Sequence, residues 1–372
     1  MSSTTAPNNG SAELRPPLPS LPSLERTPVL EADGVAASPA FEALVSPALS
    51  PVDKELSLNP VAPARAWRMP ECWGHRGASA SFPENTIMSF TEACKAGADG
   101  IETDVHITSD NVLVMFHDPN LDRTTDGKGK LHDQPWAGVL EHVRTLEQPA
   151  QPIPRFAQVI ELLMKPENQH VKLNIDCKVE NDPVKLFGLI KGELEQYEEW
   201  QTKLAPRLVL GLWHPKFIEP AADILPDLKR FCISMSIPQV RKYFYDKCHG
   251  FSVWYHPLAS ADGAAFRDEC RKAGKEICTW TVNGREEMIN CARWGIYSII
   301  SDKPELWREV KADLLADREK VLKPTISSYI LPYLDSRNYS WHYLKEGEKE
   351  RDYLEKEAGS FDTVAVPESL RL

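Results

Sequence analysis

The sequence predicts an α/β fold, a TIM (β/α)₈ barrel that carries a β-hairpin excursion after its second strand. Short apolar runs alternate with helical stretches along residues 67–308, and this alternation is typical of a parallel sheet. The length of the region is close to the ~250 residues that one such barrel uses. There are nine such apolar runs, one more than the eight strands of a closed barrel. The linker between the second and third runs explains the additional one.

Nine runs have the β-branched and aromatic content of strands and end at turn-forming residues. They are Cys72–His75, Gly100–Val105, Val112–His117, Val171–Lys178, Arg207–Trp213, Arg230–Ser234, Gly250–Trp254, Glu276–Val282 and Ser298–Ser301. Helical patterns fill most of the intervals between them. In Thr86–Ala96, for example, the apolar side chains fall on one face and Gly97 follows, which predicts a helix that ends there.

The second and third runs are joined by Ser109, Asp110 and Asn111, a turn signal with no helical stretch beside it. A parallel connection requires a crossover of about a dozen residues or more. The two runs are therefore expected to pair as an antiparallel hairpin. Eight strands remain for the barrel once the returning arm is set aside.

The two ends of the chain differ in composition from the barrel region. Residues 1–66 are rich in Pro, Ser and Ala without any sustained period, which predicts a disordered tail. Residues 309–372 contain a charged helical stretch, an aromatic piece at Tyr329–Tyr343 and a second charged stretch at Lys345–Glu357. They are predicted to form a partly helical, mostly solvated tail, whose aromatic piece docks on the barrel or, alternatively, on a membrane surface.

Composition and charge narrow the classes of partner and compartment. The formal net charge is −11 and the basic residues are scattered, so no nucleic acid partner is expected. Eight cysteines without a C-x-x-C pair indicate reduced thiols inside the cell. The N-terminus lacks a signal-peptide pattern, and no stretch approaches the ~20 apolar residues of a transmembrane segment. We expect a protein that is not secreted and is cytoplasmic or peripheral on a membrane or lipid surface.

Polar pairs interrupt two of the predicted strands. Side chains alternate between the faces of a strand, so Glu102 shares one face with Asp104, and Asp176 shares one with Lys178. Buried carboxylates without partners are strongly disfavoured. The simplest explanation for three of them is one divalent cation, which prefers hard oxygen ligands; Mg²⁺, Ca²⁺ and Mn²⁺ all remain open.

Two histidines are expected to reach the same level of the barrel. His75 ends the first strand, and the hairpin returns His117 to a position opposite Thr103 and Asp104. Barrel enzymes keep their active sites at this carboxyl edge. Two histidines can act as acid and base, while Arg76 and Lys178 with a metal can hold a phosphate.

Each of these elements alone has a structural alternative. A histidine at a strand end is more often structural, an E-x-D pair is an ordinary surface pattern, and D-x-K can be an internal salt bridge. Their arrival together on successive strand ends favours a site for an anionic ester.

These motifs resemble the glycerophosphodiester phosphodiesterase family. The resemblance runs from about residue 72 to 304 and rests on HRG, PENT, GADGIETDV, TSDNVLVMFHD, LDRTT, DCK, TWTVN and IISDKP. It implies catalytic roles for His75 and His117, phosphate binding by Arg76 and Lys178, and a divalent ion held by three carboxylates. These ligands match Glu102, Asp104 and Asp176, the last standing where many members carry Glu.

Within the family, stretches such as LNIDCK, LGLWHPKF and GFSVWYHPLAS look most like the fungal phosphatidylglycerol phospholipase C branch. This narrower resemblance implies a lipid substrate, and the apolar content of the predicted rim loops favours the same substrate through exposed side chains. The residues expected there, with core packing as their alternative, are Trp213, Phe217, Ile218, Tyr243, Phe244, Tyr245, Trp254 and Tyr255. Trp280 is expected to line the barrel mouth and bind substrate, or else to pack in the core. Asn85 is expected either to cap the first helix or to belong to the site.

Three functions follow as hypotheses. The first is a metal-dependent phosphodiester hydrolase with a histidine pair as general acid and base, cleaving phosphatidylglycerol to diacylglycerol and glycerol phosphate. The second is a soluble glycerophosphodiester phosphodiesterase that releases sn-glycerol 3-phosphate and an alcohol. The third is a catalytically inactive lipid-binding barrel, which the completeness of the histidine and carboxylate set disfavours.

Overall fold

The computed structural model describes residues 67–325 and 335–363. The tail predicted for residues 1–66, residues 329–334 of the aromatic piece and the end of the chain after residue 363 lie outside the described residues. Within the described ranges the chain forms the TIM barrel that the sequence predicts.

Nine β-strands are present in the described residues, each at a predicted position and with ends that differ by no more than two residues. They are β1 Glu71–His75, β2 Gly100–Ile107, β3 Leu113–Met115, β4 Lys172–Cys177, β5 Leu208–Leu212, β6 Lys229–Ser234, β7 Gly250–Trp254, β8 Glu276–Trp280 and β9 Ser298–Ser301. Eight of them are parallel, in the order β1-β9-β8-β7-β6-β5-β4-β2. Because β1 pairs with both β9 and β2, these eight strands close into a barrel.

The ninth strand, β3, forms the predicted hairpin with β2. It pairs antiparallel to β2, with Val105 opposite Met115, and the Phe116 N–H donates to Asp104 O at 3.0 Å. Asn111 occupies the turn with a left-handed φ of 67°, a conformation that Asn tolerates well. This register returns His117 to the level of Thr103 beside the barrel, as expected.

Twelve α-helices lie in the described residues, most of them between successive strands. They are α1 Ile87–Lys95, α2 Phe156–Met164, α3 Pro183–Leu194, α4 Trp200–Lys203, α5 Ile218–Ile224, α6 Ile237–Gln239, α7 Tyr255–Ala259, α8 Ala261–Lys272, α9 Arg285–Trp294, α10 Pro304–Ala316, α11 Arg318–Leu322 and α12 Ser340–Ala358. The side chain of Thr86 caps α1 by accepting from Ser89 N. None of these helices combines the length and the apolar character needed to cross a membrane.

The barrel interior has an apolar layer beneath its polar carboxyl edge. The layer is built from alternate residues of five strands: Trp73, Val209, Phe231, Cys278 and Ile300. A Cβ atom on Gly100 would lie 2.6 Å from the Trp73 ring. Because glycine has no side chain, Trp73 can fill the interior beside this position of β2. This layer separates the polar carboxyl edge of the barrel from its amino end.

The C-terminal segment packs on that carboxyl edge. Met235 N donates to Glu350 Oε2 of α12 at 2.6 Å, and His214 Nε2 lies 2.9 Å from Gly359 O. Leu354 and Phe361 are buried, although much of α12 is exposed, as expected for a solvated tail. The segment therefore contributes a wall above the barrel, and Asn338 of the aromatic piece contacts His256 there.

Candidate active site

Three carboxylates converge at the carboxyl edge. Glu102 and Asp104 of β2 and Asp176 of β4 each offer an oxygen, and these oxygens lie within 4.8 Å of one another. All three residues are buried. The parallel register places Asp104 directly beside Asp176, and strand alternation turns Glu102 to the same side. The cluster is thus a direct consequence of the predicted strands and their pairing.

Lys178 is the main cation facing this cluster. Its Nζ lies 2.6 Å from Asp104 Oδ1 and 2.8 Å from Asp176 Oδ2. Burial opposes the charged form of Lys178, but the two carboxylates raise its pKa above the usual range. Burial also opposes the charge of Asp104, yet Lys178 and other nearby cations hold the pKa of Asp104 well below its usual value. Lys178 thus lies among the carboxylates and forms the internal salt bridge that the D-x-K pattern also allows.

The pKa values of Glu102 and Asp176 are raised, so their ionised forms are less favourable than that of Asp104. Burial and the negative charges of Asp104 and Asp176 raise the pKa of Glu102 well above its usual value. The pKa of Asp176 rises to about 6, chiefly through burial. Three hard oxygen donors, two of them unfavourable as anions without added positive charge, fit one divalent cation. The residues present therefore suit the expected metal.

His75 is held by an aspartate that the sequence reasoning did not identify. Its Nδ1 lies 2.6 Å from Asp302 Oδ1, and Asp302 also accepts hydrogen bonds from Ser79 Oγ and Asn283 Nδ2. Although burial opposes its charge, these bonds from His75, Asn283 and Ser79 lower the pKa of Asp302 to about 2. A carboxylate at Nδ1 fixes the proton on that nitrogen, and Nε2 remains as the acceptor.

His117 has a similar partner. Its Nδ1 lies 2.7 Å from Asp118 Oδ1, and Asp118 in turn accepts from Arg123 Nε at 2.5 Å. The pKa of His117 is lowered, chiefly by burial. The negative charge of Asp104 opposes this shift, and the positive charge of Lys178 adds to it. Asp118 directly follows His117, and Asp302 directly follows β9. A search for polar residues immediately after strand ends would have found both.

Arg76 adopts a left-handed backbone conformation, with φ of 54°, directly after β1. Its backbone N–H donates to Glu102 Oε2 at 3.1 Å, and its Nη1 donates to Glu84 Oε1 at 3.0 Å. The buried Nε has no hydrogen-bond partner among the described residues and lies 3.6 Å from Asp104 Oδ2. Non-glycine residues with positive φ often mark functional sites. Arg76 is thus oriented by Glu84 toward the carboxylates.

Asn85 belongs to the site and does not cap the first helix. Its Nδ2 donates to Asp104 Oδ2 at 2.7 Å, and its Oδ1 accepts from Thr103 Oγ1 at 2.7 Å. Thr86 provides the cap of α1 instead. Asn85 has a left-handed φ of 54°, a conformation that Asn tolerates well.

The two histidines, the three carboxylates and Arg76 line an inner cavity of about 180 Å³. The side chains of Asn174 and Ser252 also line it, and their polar atoms have no hydrogen-bond partner among the described residues. A larger outer cavity, of about 370 Å³, lies beside it, and His117, Trp213 and Met235 line both. The site can therefore hold a small polar group inside the barrel and a second group outside it.

The aromatic residues are arranged differently from the expectation. Trp280 lines the inner cavity, as predicted, and its ring centroid lies 5.9 Å from that of Trp213. Trp213 Nε1 also donates to Asp176 Oδ1 at 2.7 Å, a role that sequence reasoning missed. Five of the residues expected on an exposed apolar rim are buried, so for them the alternative of core packing holds: Phe217, Ile218, Tyr243, Phe244 and Tyr255. Their side chains pack beneath the loops because burial of large apolar surface is favourable.

Comparison with known proteins gives a consistent result. The chain matches the model of the Glycerophosphoryl diester phosphodiesterase family over residues 75–306. It is 28% identical to a glycerophosphodiester phosphodiesterase of Caldanaerobacter subterraneus subsp. tengcongensis over 239 residues, 62% of this chain and 93% of that protein. A glycerophosphodiester phosphodiesterase of Bacillus altitudinis is 26% identical over 254 residues, 66% of this chain and all of that protein.

Solved structures show the same fold. A phosphodiesterase of Oleispira antarctica, in complex with the product sn-glycerol-3-phosphate, superposes with a TM-score of 0.55 at 22% identity. The match covers 66% of this chain and 97% of that one. The part of this chain beyond residue 306, including α12, lies outside the family match.

Proposed function

The chain belongs to the glycerophosphoryl diester phosphodiesterase family, and we therefore propose that this phosphoric diester hydrolase cleaves a glycerophosphodiester into sn-glycerol 3-phosphate and an alcohol. One observation carries the proposal: His75 and His117, each hydrogen-bonded to an aspartate, line one cavity with three buried carboxylates. The activities named for the two bacterial relatives and the product bound by the Oleispira protein support it.

We assign binding roles to the polar residues in and beside the inner cavity. Glu102, Asp104 and Asp176 would hold one divalent cation, which when bound supplies positive charge to polarise a phosphoryl oxygen. Arg76 donates hydrogen bonds to the phosphate oxygens, because guanidinium groups match that geometry. Lys178 keeps Asp104 and Asp176 ionised and adds positive charge beside the phosphate. Asn174 and Ser252 offer unpartnered polar atoms to the glycerol hydroxyls.

The two histidines transfer the protons. His75 Nε2 accepts a proton from the glycerol hydroxyl beside the phosphate, and that oxygen forms a bond to phosphorus. The bond between phosphorus and the leaving oxygen breaks, and His117 donates a proton to the departing alcohol. Water then opens the cyclic phosphate with the proton transfers reversed, which gives glycerol phosphate.

The position of His117 supports its assignment as the acid. His117 lines both cavities, whereas His75 lines only the inner one. The glycerol phosphate portion fits the smaller inner cavity, and the leaving alcohol then lies on the outer side. His117 is the histidine that can reach the oxygen between the two groups.

Phosphatidylglycerol in a membrane is the second candidate substrate, as the resemblance to the fungal phospholipase C branch suggests. One observation favours it: Tyr339, Trp341 and Leu344 are exposed at and near the start of α12. Exposed aromatic and apolar side chains on a helix can enter a lipid interface. The burial of Phe217, Phe244 and Tyr255 counts against a broader aromatic rim, so we place this substrate second.

The test is hydrolysis of defined diesters by the purified protein with Mg²⁺, Ca²⁺ or Mn²⁺. Release of glycerol 3-phosphate from water-soluble glycerophosphodiesters is expected, and a His75→Ala/His117→Ala variant controls for contaminants. Phosphatidylglycerol vesicles are assayed in parallel with Trp341→Ala/Leu344→Ala, which should reduce vesicle turnover alone if lipid is a substrate. Failure to hydrolyse any diester with any of the three ions would favour the inactive lipid-binding barrel.

A further inference from the structure

The outer cavity is enclosed by a part of the chain that the family match does not include. Val179 and Glu180 after β4 and Trp213 after β5 form one side, and Glu350 and Tyr353 of α12 form the other. Its volume of about 370 Å³ is in the range of small-molecule sites. Because His117 and Trp213 line it together with the inner cavity, a substrate can extend from one to the other.

Two carboxylates of this cavity have a buried oxygen without a hydrogen-bond partner among the described residues: Oε2 of Glu180 and Oε1 of Glu350. The other oxygens are engaged, since Glu350 Oε2 accepts from Met235 N at 2.6 Å and Glu180 Oε1 contacts the Tyr353 hydroxyl. A buried carboxylate oxygen without a partner costs free energy. Burial raises the pKa of Glu350 to about 8, so its ionised form would gain from a positive charge nearby.

The lysines that line the outer cavity do not supply that charge. Lys178 is hydrogen-bonded to Asp104 and Asp176, and Lys349 Nζ lies 2.7 Å from Glu346 Oε1. Both ammonium groups are therefore engaged by other carboxylates. The Ser234 side chain is hydrogen-bonded to Glu350, and the charge of Lys216 interacts with that of Glu180. The unpartnered oxygens of the two glutamates are thus open to a bound cation or to solvent.

The remaining lining suits a cation that also has apolar surface. The Trp213 ring already has the Lys178 ammonium 6.0 Å from its centroid, and Tyr353 offers a second ring at the cavity mouth. Aromatic faces attract ammonium groups. Val179 and Leu354 add apolar contacts, which would pack against the carbon substituents of such a group. Neutral polyols would leave the two carboxylates without a counter-charge.

We propose that the outer cavity binds the leaving alcohol of the diester and selects an alcohol that carries an ammonium group, with Glu180, Glu350 and Tyr353 as the specificity-determining residues. This inference rests on the proposed function for the identity of the inner group. All candidate substrates share the glycerol phosphate portion and differ in their alcohol. The proposal makes α12, a helix outside the family match, part of the site that selects this alcohol.

A binding experiment tests the cavity without any turnover. Choline and ethanolamine are titrated into the full-length protein by calorimetry, with glycerol as the neutral control. Both ammonium alcohols are expected to bind and glycerol is not. Glu180→Gln/Glu350→Gln should weaken their binding at least tenfold, whereas Glu348→Gln, an exposed position on the same helix, should not. Absence of binding to the wild-type protein, or equal binding of glycerol, would overturn the proposal.

Kinetics with two diesters provide the second test. Glycerophosphocholine is compared with glycerophosphoglycerol, which shares the glycerol phosphate portion and has a neutral leaving group. The double glutamine variant should lower kcat/KM at least tenfold for the first and less than twofold for the second. An equal loss for both diesters would show a structural role and overturn the selectivity.

Two controls separate the possible failures. Tyr353→Leu removes the ring from a partly exposed position, so it keeps the proposal testable if the double variant does not fold; it should selectively weaken the ammonium substrates. If choline binds but no diester is hydrolysed, the proposed function fails while the ammonium site stands. If both diesters are hydrolysed equally well by the wild-type protein, the hydrolase stands and the ammonium selectivity fails.

Discussion

His75 and Asp302 are 227 residues apart in the sequence, and their side chains are joined by a 2.6 Å contact between Nδ1 and Oδ1. They meet because β1 and β9, the first and last strands of the barrel, pair in parallel and close it. The closure thus aligns His75, the proposed general base, with the carboxylate that we propose orients it. The arrangement makes the chemistry dependent on a complete barrel.

Replacement of Asp302 should reduce catalysis without removing the fold. In Asp302→Asn the amide can bond to the other His75 tautomer, which would leave Nε2 protonated and unable to act as base. We expect kcat to fall by ~10²–10⁴-fold with a small change in KM. Ser79→Ala, which removes only one hydrogen bond to Asp302, should lose less than tenfold. Equal effects of the two variants on kcat would contradict an orienting role for Asp302.

The histidines should differ in their response to the leaving group. His75→Ala and His117→Ala should each lower the rate by ~10²–10⁴-fold on an alkyl diester. A nitrophenyl leaving group needs no proton, so His117→Ala should recover most of its activity on that substrate and His75→Ala should not. Recovery by His75→Ala instead would reverse the assignment of acid and base. The double variant is expected to lose much less than the product of the two single losses, because both groups serve one step.

Removal of the metal should abolish turnover. Glu102→Ala, Asp104→Ala and Asp176→Ala each delete one oxygen donor, and each is expected to leave a few per cent of the activity or less. The fold should persist most clearly in Glu102→Ala, which relieves repulsion among buried negative charges. Asp104→Ala and Asp176→Ala each leave Lys178 with one buried carboxylate as a partner, so circular dichroism of each variant serves as the control for folding. Assays after treatment with EDTA, followed by return of Mg²⁺, Ca²⁺ or Mn²⁺, measure the dependence directly. Full activity in EDTA would rule out the metal site.

Asn85 and Thr86 are neighbours with separable roles. Asn85→Ala deletes a hydrogen bond to Asp104, so activity should fall at least tenfold. Thr86→Ala deletes the cap of α1 and should cost about 1 kcal/mol of stability with little change in kcat. Chemical denaturation and steady-state kinetics on both variants distinguish these roles. A loss of stability without a loss of rate in Asn85→Ala would assign Asn85 to the fold alone.

Glu350 should make stability depend on pH. Its pKa is about 8 in the folded protein, against an ordinary value of 4.5, chiefly because of burial. Between these values the unfolded chain loses the proton first, so the free energy of unfolding falls as the pH rises from about 4.5 to about 8. The glutamine in Glu350→Gln does not titrate, so its free energy of unfolding does not fall in this way. Relative to the wild type, it should rise by at least about 1 kcal/mol between pH 5 and pH 8. A difference between the two proteins that stays constant over this range would contradict the assignment.

The sequence by itself determines the barrel and most of the inner site. Alternation along β2 and β4 places Glu102, Asp104 and Asp176 on the inner face, and the turn at Asn111 returns His117 to their level. These features follow from local periodicity and from connection length, which short stretches of sequence specify. The family motifs lie on the same elements.

The tertiary structure alone decides the partners that come from distant parts of the chain. Asp302 reaches His75 only when the barrel closes, and Trp213 reaches Asp176 across neighbouring strands. The packing of α12 over the carboxyl edge creates the outer cavity, and its pattern of alternating charges does not indicate which side chains face the barrel. Local sequence cannot specify these contacts, because they depend on how side chains far apart in the chain fill shared space.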